Sequence, residues 1–441
     1  MEIRFSDTKE QPQFYLSRLT LVNFKSFRKV DVDLNNLNIL IGKNASGKSN
    51  FTQVFKFLND IIEHDLETAI SLQGGIKYFK NIKSKDNEPL SIKLVFLPKT
   101  TDKKSMGPIL KISSKERLNV LEVNYEFSLN CNSKTGESKI SKDELTLKIV
   151  SQSPNRSIKN GFIKIKRLAE GIKIDISPDS VKKIILVGSS RKQISKLSKR
   201  FAKNRLLIEG PLFLIALKLN FESLEFLNLF ENIGGFFNRM IVYDFDPKIS
   251  KIATQVAGKR ELAPNGENLA LVLKRILNNN KQKKKFFDLL ESVLPFVKEL
   301  KVESILGKSI FFDLTEIYSH NKSLPSFLLS DGTVNMTALI CALFFENSSL
   351  VVIEEPERDI HPGLFYKVIE LLKKASEDKQ IIITTHSPDL LDLIEVEKLL
   401  FIFRDKKGTS KISKPKDNLE VKRFIESNIK LGGLFIQGLL K

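Results

Sequence analysis

The chain has 441 residues, 41% of them hydrophobic, so it is long enough to build two or three globular units. Its 71 Lys and Arg against 52 Asp and Glu give a net charge of +19, which favours polyanionic partners, nucleic acid first, unless the lysines are merely spread over the surface. The polar N-terminus argues against secretion, and the two widely spaced cysteines argue against a zinc knuckle. No apolar run reaches about 20 residues, which argues against a membrane partner. Together these features predict a cytoplasmic protein.

The first third of the chain shows the pattern of strands, then of a glycine-rich loop and a helix. Residues 15–41 alternate apolar and polar side chains, as half-buried strands do. After the loop, the apolar residues of "SNFTQVFKFLNDIIEH" recur at helical spacing. From 90 to 176 the pattern returns to strands, such as "LSIKLVFL" and "GFIKIKRL", which predicts a β-rich meander.

A basic segment follows, and the last third of the chain returns to α/β alternation. Residues 156–205 contain fifteen Lys or Arg and three acidic residues. Residues 206–300 show a mostly helical pattern, with a basic hinge, "KQKKK", at 281–285. We therefore predict three parts: the first part of a head at 14–85, a β-rich and basic helical insert at 86–235, and the second part of the head at 236–441.

The glycine-rich loop "GKNASGKS", Gly42 to Ser49, fits the pattern G-x-x-x-x-G-K-[ST] in full, and it lies between a strand and an amphipathic helix. Its glycines let the backbone wrap around phosphate oxygens, and the helix adds the positive end of its dipole. Lys48 is placed to reach the β- and γ-phosphates, and the Ser49 hydroxyl to bind Mg²⁺. The predicted nucleotide contacts are Gly42, Lys43, Asn44, Ala45, Ser46, Gly47, Lys48, Ser49 and Asn50.

Two carboxylates end a strongly apolar run in "SSLVVIEEPERDIHP". Residues 350–353 have the pattern of a buried parallel strand, and Glu354 and Glu355 follow at the end where open α/β sheets bind ligands. Successive strand residues point to opposite sides, so the two can have different roles. Glu354 suits Mg²⁺, and Glu355 suits the deprotonation of the water that attacks the γ-phosphate. An acidic strand exit is common by itself, but the full phosphate loop favours the functional interpretation.

A second apolar strand, in "KQIIITTHSPDLL", ends in the same way, at His386. A histidine there can donate a hydrogen bond to the γ-phosphate and report whether that group is present. A lone histidine is usually structural, but this chain has only four, and this one follows a strand of the same type. We therefore predict a catalytic role for His386, beside Glu355 and Lys48.

The turn "LSDGT", residues 329–333, precedes the apolar run "VNMTALICALFF". Ser330 or Asp331 could merely cap the helix that follows. The same exposed N–H groups, the serine hydroxyl and the helix dipole also make a second phosphate receptor. In a dimer, each copy could present Ser330, Asp331 and Gly332 to the nucleotide of the other copy, so that ATP joins two heads until hydrolysis releases them.

Together, "GKNASGKS", "LLSDGT", "VVIEEPERDIHP" and "IITTHSPDLL" resemble the ABC-type ATPases of the SMC/RecF/OLD class, and more narrowly the short bacterial AAA ATPases of that class. The smaller runs "LTLVNFKSF", "RMIVYDFDP" and "NGENLALVL" agree with this resemblance. It covers both ends of the chain and leaves roughly 85–235 as an insert specific to a lineage. The implied fold is α/β, a P-loop NTPase head of the ABC type with a β-rich subdomain and an inserted basic β/helical region.

The resemblance also implies a role for each motif, with ATP and Mg²⁺ as cofactors. Gly42 through Ser49 correspond to the Walker A loop, and Glu354 with Glu355 to the Walker B end. The turn at 330–332 corresponds to the signature that acts on the other copy of a homodimer. His386 corresponds to the switch histidine, and Gln73 in "SLQGG" to a metal-binding Q-loop glutamine.

The chain departs from the family pattern at three positions. Glu354 stands where many relatives have Asp, so the metal carboxylate is one methylene longer. Asp331 replaces the first glycine of the transporter signature, as is usual in this class. Ala45 stands where glycine is frequent, and we expect this to be tolerated if its backbone angles suit alanine.

Two functions stay open from the sequence. The leading hypothesis is Mg²⁺-dependent ATP hydrolysis by an ATP-gated head-to-head dimer that acts on or near nucleic acid, in DNA repair or phage defence. The alternative is a regulatory module in which ATP switches the docking of a partner effector with little turnover. A transporter subunit is disfavoured because its signature follows its phosphate loop much more closely.

A built-in nuclease is also disfavoured. Too few residues follow the histidine strand to form a separate catalytic domain, and Asp244 and Asp246 in "DFDP" are more typical of a strand exit than of a metal site. Any nuclease or toxin effector would therefore be a separate partner protein.

Overall fold

A computed structural model describes residues 14–99, 109–111, 117–132, 134–153, 156–168, 171–177, 234–258, 260–417, 419–427 and 429–439. The chain forms two compact units. The first unit comprises Met1–Asn35, Gln53–Met240 and Phe403–Ile412, and the second comprises Asn36–Thr52, Ile241–Ile402 and Ser413–Lys441.

The two units together contain the following strands and helices, in chain order. The strands are β1 (Phe14–Phe24), β2 (Phe27–Asp33), β3 (Leu37–Ile41), β4 (Leu90–Pro98), β5 (Ile109–Lys111), β6 (Arg117–Cys131), β7 (Ser138–Ser153), β8 (Arg156–Leu168), β9 (Gly171–Ser177), β10 (Met240–Tyr243), β11 (Thr254–Gln255), β12 (Val297–Ile305), β13 (Ser309–Glu316), β14 (Ser323–Pro325), β15 (Leu350–Glu354), β16 (Gln380–Thr385), β17 (Leu399–Arg404) and β18 (Ser410–Ser413). The helices are α1 (Lys48–Glu63), α2 (Leu66–Leu72), α3 (Ile76–Phe79), α4 (Pro247–Ser250), α5 (Leu269–Leu277), α6 (Asn280–Val293), α7 (Asp331–Phe344), α8 (Phe365–Ala375), α9 (Pro388–Leu391), α10 (Leu419–Glu426) and α11 (Leu431–Gln437).

A largely parallel sheet has the strand order β10-β15-β16-β3-β17-β18. The inner strands β15, β16, β3 and β17 are parallel, and Ile381 of β16 lies opposite Val351 of β15 and Leu37 of β3. These strands have continuous apolar runs because helices cover both faces of such a sheet. Parallel strands end at the same edge, so the exits of β3, β15 and β16 lie side by side. Glu354 ends β15 and Glu355 follows it, and His386 follows the neighbouring strand β16.

The core of the second unit lies between this sheet and its helices. Helix α7 is buried from Thr333 to Leu343, as its nearly continuous apolar sequence predicts. Helix α8 is amphipathic and buries one face, which includes Val368 and Leu372, in the same core. A smaller antiparallel sheet, in the order β11-β13-β12 with β14 beside β13, contributes Phe312 and Leu314.

The first unit contains an antiparallel sheet in the order β2-β1-β4-β6-β7-β8-β9, with β5 beside β6. In β4, buried and partly exposed residues alternate, which matches the period of a strand that faces a core on one side. Ion pairs such as Lys142–Glu126 and Lys148–Glu122 join neighbouring strands on the more exposed face, each with an N–O distance of 2.7 Å.

The predicted strands between 90 and 176 are confirmed as β4, β6, β7, β8 and β9. The helical prediction for 206–300 was wrong in part, because β10, β11 and the start of β12 lie in this range; its residues up to 233 lie outside the described part. The predicted hinge at 281–285 was also wrong, since these lysines lie in α6 after Asn279, which caps the helix. Of the basic segment, residues 178–205 lie outside the described residues.

The boundaries predicted at residues 85 and 235 stay a prediction; the two compact units divide the chain at other positions. Among the described residues, every helix is too short or too polar to cross a bilayer.

Candidate nucleotide-binding site

The phosphate loop connects β3 to α1, so the predicted order of strand, loop and helix is confirmed. Gly47 has a φ angle of 114°, which side-chain-bearing residues rarely adopt. A Cβ at Gly42 would lie 2.3 Å from the carbonyl oxygen of Ile402, so glycine alone fits there. The N–H of Phe51 donates to the carbonyl of Gly47 (3.0 Å), so helical hydrogen bonding begins directly after the loop.

Lys48 folds over this loop. Its Nζ donates to the carbonyl of Gly42 (2.8 Å) and more weakly to that of Lys43 (3.4 Å). Burial lowers the pKa of Lys48, and the negative charges of Glu355, Glu357 and Glu354 partly offset this effect. The ammonium group therefore lies within electrostatic reach of three carboxylates.

Ala45 lies in the left-handed region of the backbone, with a φ angle of 60°. This region favours glycine, because a Cβ there approaches the following carbonyl oxygen at a cost of about 1–2 kcal/mol. Ala45 therefore adopts the backbone angles that suit the glycine frequent at this position, and its Cβ costs the fold this strain energy. Asp359, which follows β15 in the chain, also has a positive φ, of 62°.

Glu354 lies at the end of β15 and contacts the first turn of α1. The Ser49 hydroxyl donates to its Oε2 (3.1 Å), and the Thr52 hydroxyl donates to its Oε1 (2.7 Å). Magnesium prefers oxygen ligands and usually takes one or two from the protein and the others from water and phosphate. Ser49 and Glu354 place a hydroxyl and a carboxylate oxygen 3.1 Å apart beside the phosphate loop, so these two residues could supply the protein ligands of such an ion.

Glu355 has a strained backbone and two basic neighbours. Its φ angle is 47°, and its N–H donates to the carbonyl of Thr384 on β16 (2.9 Å). Its Oε1 lies 3.0 Å from Nδ1 of His386, and its Oε2 accepts from Arg358 (3.3 Å). Burial alone would raise the pKa of Glu355, but His386 and Arg358 outweigh it and hold the pKa below its ordinary value. The two strand exits thus bring together the residues predicted as base and switch.

The predicted signature turn begins α7, and Ser330 is its N-cap. The Ser330 hydroxyl accepts from the N–H of Thr333 (3.2 Å), so the simple capping role is present in the structure. Ser330 is exposed, Asp331 forms an ion pair with Lys251, and a Cβ at Gly332 would lie 2.5 Å from the carbonyl oxygen of Asp359. The turn is therefore held by its own chain at Asp331 and Gly332, while Ser330 faces outward.

Gln73 lies in the first unit, at the C-terminal end of α2. It forms a hydrogen bond with the carboxyl of Asp60. Its Oε1 is buried without a partner among the described residues. Its predicted role at the metal, in the second unit, stays a prediction.

Four further side chains contact these residues or lie beside them in the chain, and the sequence reasoning missed them: Thr52, Glu357, Arg358 and Thr385. Thr52 could have been found, because it lies three residues after Ser49 and therefore on the same face of α1. Glu357 meets Thr385, and Arg358 meets Asp244, across separate segments, which no local pattern reveals. Asp244, predicted as a strand exit, does follow β10, and it accepts from Arg358 (3.1 Å).

Residues 37–392 match the protein family described as "AAA domain, putative AbiEii toxin, Type IV TA system". The chain belongs to this family. The match spans the phosphate loop, the turn at Ser330, both carboxylates and His386, so it includes every motif of the second unit.

Two relatives match over short stretches. The DNA replication and repair protein RecF of Lactobacillus acidophilus is 51% identical over 69 residues, which are 15% of this chain and 18% of RecF. The endonuclease GajA of Bacillus cereus is 43% identical over 44 residues, which are 10% of this chain and 8% of GajA. The chain therefore spans less than a fifth of the length of either relative.

Two solved structures of SMC heads are similar at low identity. A head bound to the C-terminal winged-helix domain of ScpA has a TM-score of 0.45 at 13% identity, over 90% of this chain and 97% of that one. The head from Thermotoga maritima has a TM-score of 0.42 at 15% identity, over 90% of this chain and 98% of that one.

Membership of this AAA family confirms the class predicted from the motifs. The chain is an ATP-binding P-loop protein of the SMC/RecF/OLD class, with the ABC-type α/β head that its largely parallel sheet and phosphate loop form.

Proposed function

We propose that the chain is a Mg²⁺-dependent ATPase that works as a head-to-head dimer closed by ATP, and that it acts on or near nucleic acid in DNA repair or phage defence. The observation that supports this most directly is the contact between Glu355 and His386, with a nitrogen–oxygen distance of 3.0 Å. Glu355 follows β15 and His386 follows β16, and these two strands are neighbours in the sheet. The next strand beside β16 is β3, which leads into the phosphate loop.

The contacts support a division of work among the side chains. The loop backbone and Lys48 bind the phosphates, while Ser49 and Glu354 bind the metal. When bound, Mg²⁺ would neutralise charge on the β- and γ-phosphate oxygens. Glu355, held ionised by its neighbours, orients a water and accepts its proton, and His386 reports the γ-phosphate to the same carboxylate.

The partner copy supplies the turn at Ser330. Ser330 is exposed at the N-terminus of α7, where the helix dipole favours an anion. The γ-phosphate bound by one copy and this turn of the other copy would complete the site. ATP therefore joins two copies, and hydrolysis separates them.

Nucleic acid is the proposed partner for two reasons. The net charge of +19 favours polyanions, and two proteins with matching segments are named as a DNA replication and repair protein and an endonuclease. A separate nuclease or toxin effector is a further proposed partner, and the chain would then act as its ATP-driven switch.

Turnover tests the chemical part of this proposal. Purified wild-type chain should release phosphate from ATP only with Mg²⁺. Lys48→Ala should lose both binding and turnover, and Glu355→Gln should bind ATP but turn it over at least about 100-fold more slowly. A wild-type chain that binds no ATP in the presence of Mg²⁺ would contradict the proposal.

Mixed copies test the dimer. Lys48→Ala damages the loop half of a site and Ser330→Arg damages the turn half, so each variant alone should be inactive. A co-expressed mixture contains dimers with one intact site, built from the loop of one variant and the turn of the other, and it should regain activity. Mixing Lys48→Ala with Glu355→Gln is the control, because both changes damage the same half and no intact site can form.

A salt titration tests the nucleic-acid part. Contacts with backbone phosphates release counterions, so affinity for a DNA duplex should fall steeply and linearly on a log–log plot as salt rises. Binding that is absent at low salt would contradict this part and leave the ATPase proposal intact.

The second candidate, a slow regulatory module, is favoured by one observation. Both carboxylate oxygens of Glu355 already have a partner, His386 or Arg358, so a water that approaches the base must share these oxygens with them. Turnover of wild-type chain that stays slow with nucleic acid present, together with ATP-dependent binding of an effector, would support this candidate.

A further inference from the structure

Glu357 is a buried carboxyl beside the proposed catalytic residues, and no step of the proposed reaction uses it. Its side chain lies two residues beyond Glu355 and is 6% exposed. Its Oε1 accepts a hydrogen bond from the hydroxyl of Thr385, and its Oε2 has no partner in the part of the chain that the structure describes. Burial raises the pKa of Glu357, and the Thr385 hydrogen bond only partly offsets this.

Thr385 connects this carboxyl to the segment that bears His386. Thr385 is fully buried, and its hydroxyl donates to Glu357 while it accepts from the N–H of Ser387 (3.0 Å). His386 lies between Thr385 and Ser387 in the chain. The hydroxyl therefore fixes the backbone on both sides of the histidine, and Glu357 fixes the hydroxyl.

A buried acid with one unpaired oxygen is costly to the fold, so its place here needs a reason other than packing. Apolar residues at positions 357 and 385 would fill the same space without this cost. The geometry offers a reason, because the pair joins the segment after β15, which carries Glu355, to the exit of β16, which carries His386.

We propose that Glu357 and Thr385 are positioning residues whose hydrogen bond holds the His386 ring against the Glu355 carboxylate. This proposal rests on the proposed ATPase function for its consequence in turnover, but the contact itself can be tested without turnover. Glu357 acts here as a hydrogen-bond acceptor, and its charge is not required.

Variants that remove or keep this hydrogen bond test the consequence for turnover. Thr385→Val and Glu357→Ala break the hydrogen bond and should lower kcat by about tenfold or more, with KM for ATP within about twofold of wild type. Thr385→Ser and Glu357→Gln keep a donor and an acceptor and should retain kcat within about twofold. Adding Thr385→Val to His386→Ala should lower kcat no further, because the threonine acts through the histidine.

Histidine NMR tests the contact directly and needs no hydrolysis. The chain has four histidines, so ring signals from labelled histidine can be assigned with His386→Ala. Glu355→Gln should shift the His386 signal in the wild-type background, because the two side chains touch. In the Thr385→Val background the same change should leave that signal in place, since the ring is no longer held there.

Three results would overturn the proposal. In one, Glu357→Gln is as defective as Glu357→Ala, which would make the carboxyl a proton carrier. In another, Thr385→Val lowers kcat equally with and without His386. In the last, Glu355→Gln shifts the His386 signal equally in both backgrounds. If wild-type chain hydrolyses no ATP, the ATPase proposal fails, and the NMR comparison alone still decides this one.

Discussion

Arg358 donates from its guanidinium to Oε2 of Glu355 across 3.3 Å, three residues further along the same turn. Its other terminal nitrogen donates to Oδ1 of Asp244, across 3.1 Å. The acidic motif after β10 therefore contacts the proposed base through an arginine. The guanidinium sets both the position of the Glu355 carboxylate and its readiness to lose a proton.

Arg358→Gln should change the pH dependence of turnover. Arg358 is one of the groups that hold the pKa of Glu355 below its ordinary value, so its loss raises that pKa. A base with a higher pKa becomes protonated at higher pH, so the acid limb of the kcat profile should move to higher pH. Steady-state rates from about pH 3.5 to about pH 8 measure this, because the wild-type limb lies below the ordinary glutamate pKa of about 4.3. Arg260→Gln, which changes an exposed arginine, should leave the limb in place, and an unmoved limb in Arg358→Gln would contradict the prediction.

Thr52→Val should weaken the response to Mg²⁺. The Thr52 hydroxyl donates to Oε1 of Glu354 across 2.7 Å and so orients the carboxylate predicted to bind the metal. Loss of a partner of this kind typically costs about 10- to 100-fold in metal affinity. The Mg²⁺ concentration for half-maximal ATPase activity should rise by about tenfold or more. Thr68→Val, an exposed threonine on α2, is the matched control, and an equal Mg²⁺ response in both variants would refute the role.

Ala45→Val should destabilise the chain by about 1–3 kcal/mol, because a β-branched residue fits the left-handed backbone at Ala45 worse than alanine does. Ala45→Gly removes the Cβ strain but adds entropy to the unfolded chain, so we expect its net change within about 1 kcal/mol. Urea unfolding followed by far-UV circular dichroism suits a chain without tryptophan. Ala257→Val, at an exposed position outside the positive-φ set, is the control; equal losses in both Val variants would contradict the strain argument.

Lys251→Met should weaken ATP-driven dimerisation in the Glu355→Gln background. Lys251 pairs with Asp331 in the turn proposed to face the other copy's nucleotide, and without it the carboxylate would repel the triphosphate. We expect a dimer Kd higher by about tenfold, equivalent to about 1.4 kcal/mol. Analytical ultracentrifugation with ATP measures it, and Asp331→Asn should restore affinity in Lys251→Met. Lys248→Met, which changes an exposed lysine on the adjacent helix α4, is the control. A dimer Kd unchanged in both lysine variants would argue against a role for the turn.

Glu357→Gln should stabilise the fold relative to wild type, and it should do so more at neutral pH than at low pH. The pKa of Glu357 is raised in the folded chain, so the folded state keeps this proton at pH values where the unfolded state has lost it. Wild-type stability therefore falls as pH rises from the ordinary glutamate pKa through the raised one, and glutamine does not share this fall. Urea midpoints from about pH 4 to about pH 8 should diverge in favour of the variant. Glu291→Gln, exposed on α6, should run parallel to wild type.

The motifs that meet at the edge of the sheet were predictable because each is local. A glycine pattern specifies the phosphate loop, and an apolar run that ends in polar residues specifies a buried parallel strand and its exit. Parallel strands end at one edge of a sheet, so the sequence alone was enough to predict that Ser49, Glu354 and His386 lie close together. The helices and strands between 206 and 300 were predicted less well, since short strands such as β10 and β11 carry too few residues for a period to show.

The sequence by itself determined the class of the protein, the nucleotide loop, the two carboxylates and the histidine, because these depend on residues that are close in the chain. Only the tertiary structure decided which side chains hold them. Arg358 meets Asp244, Thr385 meets Glu357 and Lys251 meets Asp331 across 114, 28 and 80 residues respectively. Such contacts are set by how the strands and helices pack, and packing is a property of the whole core and not of any short segment.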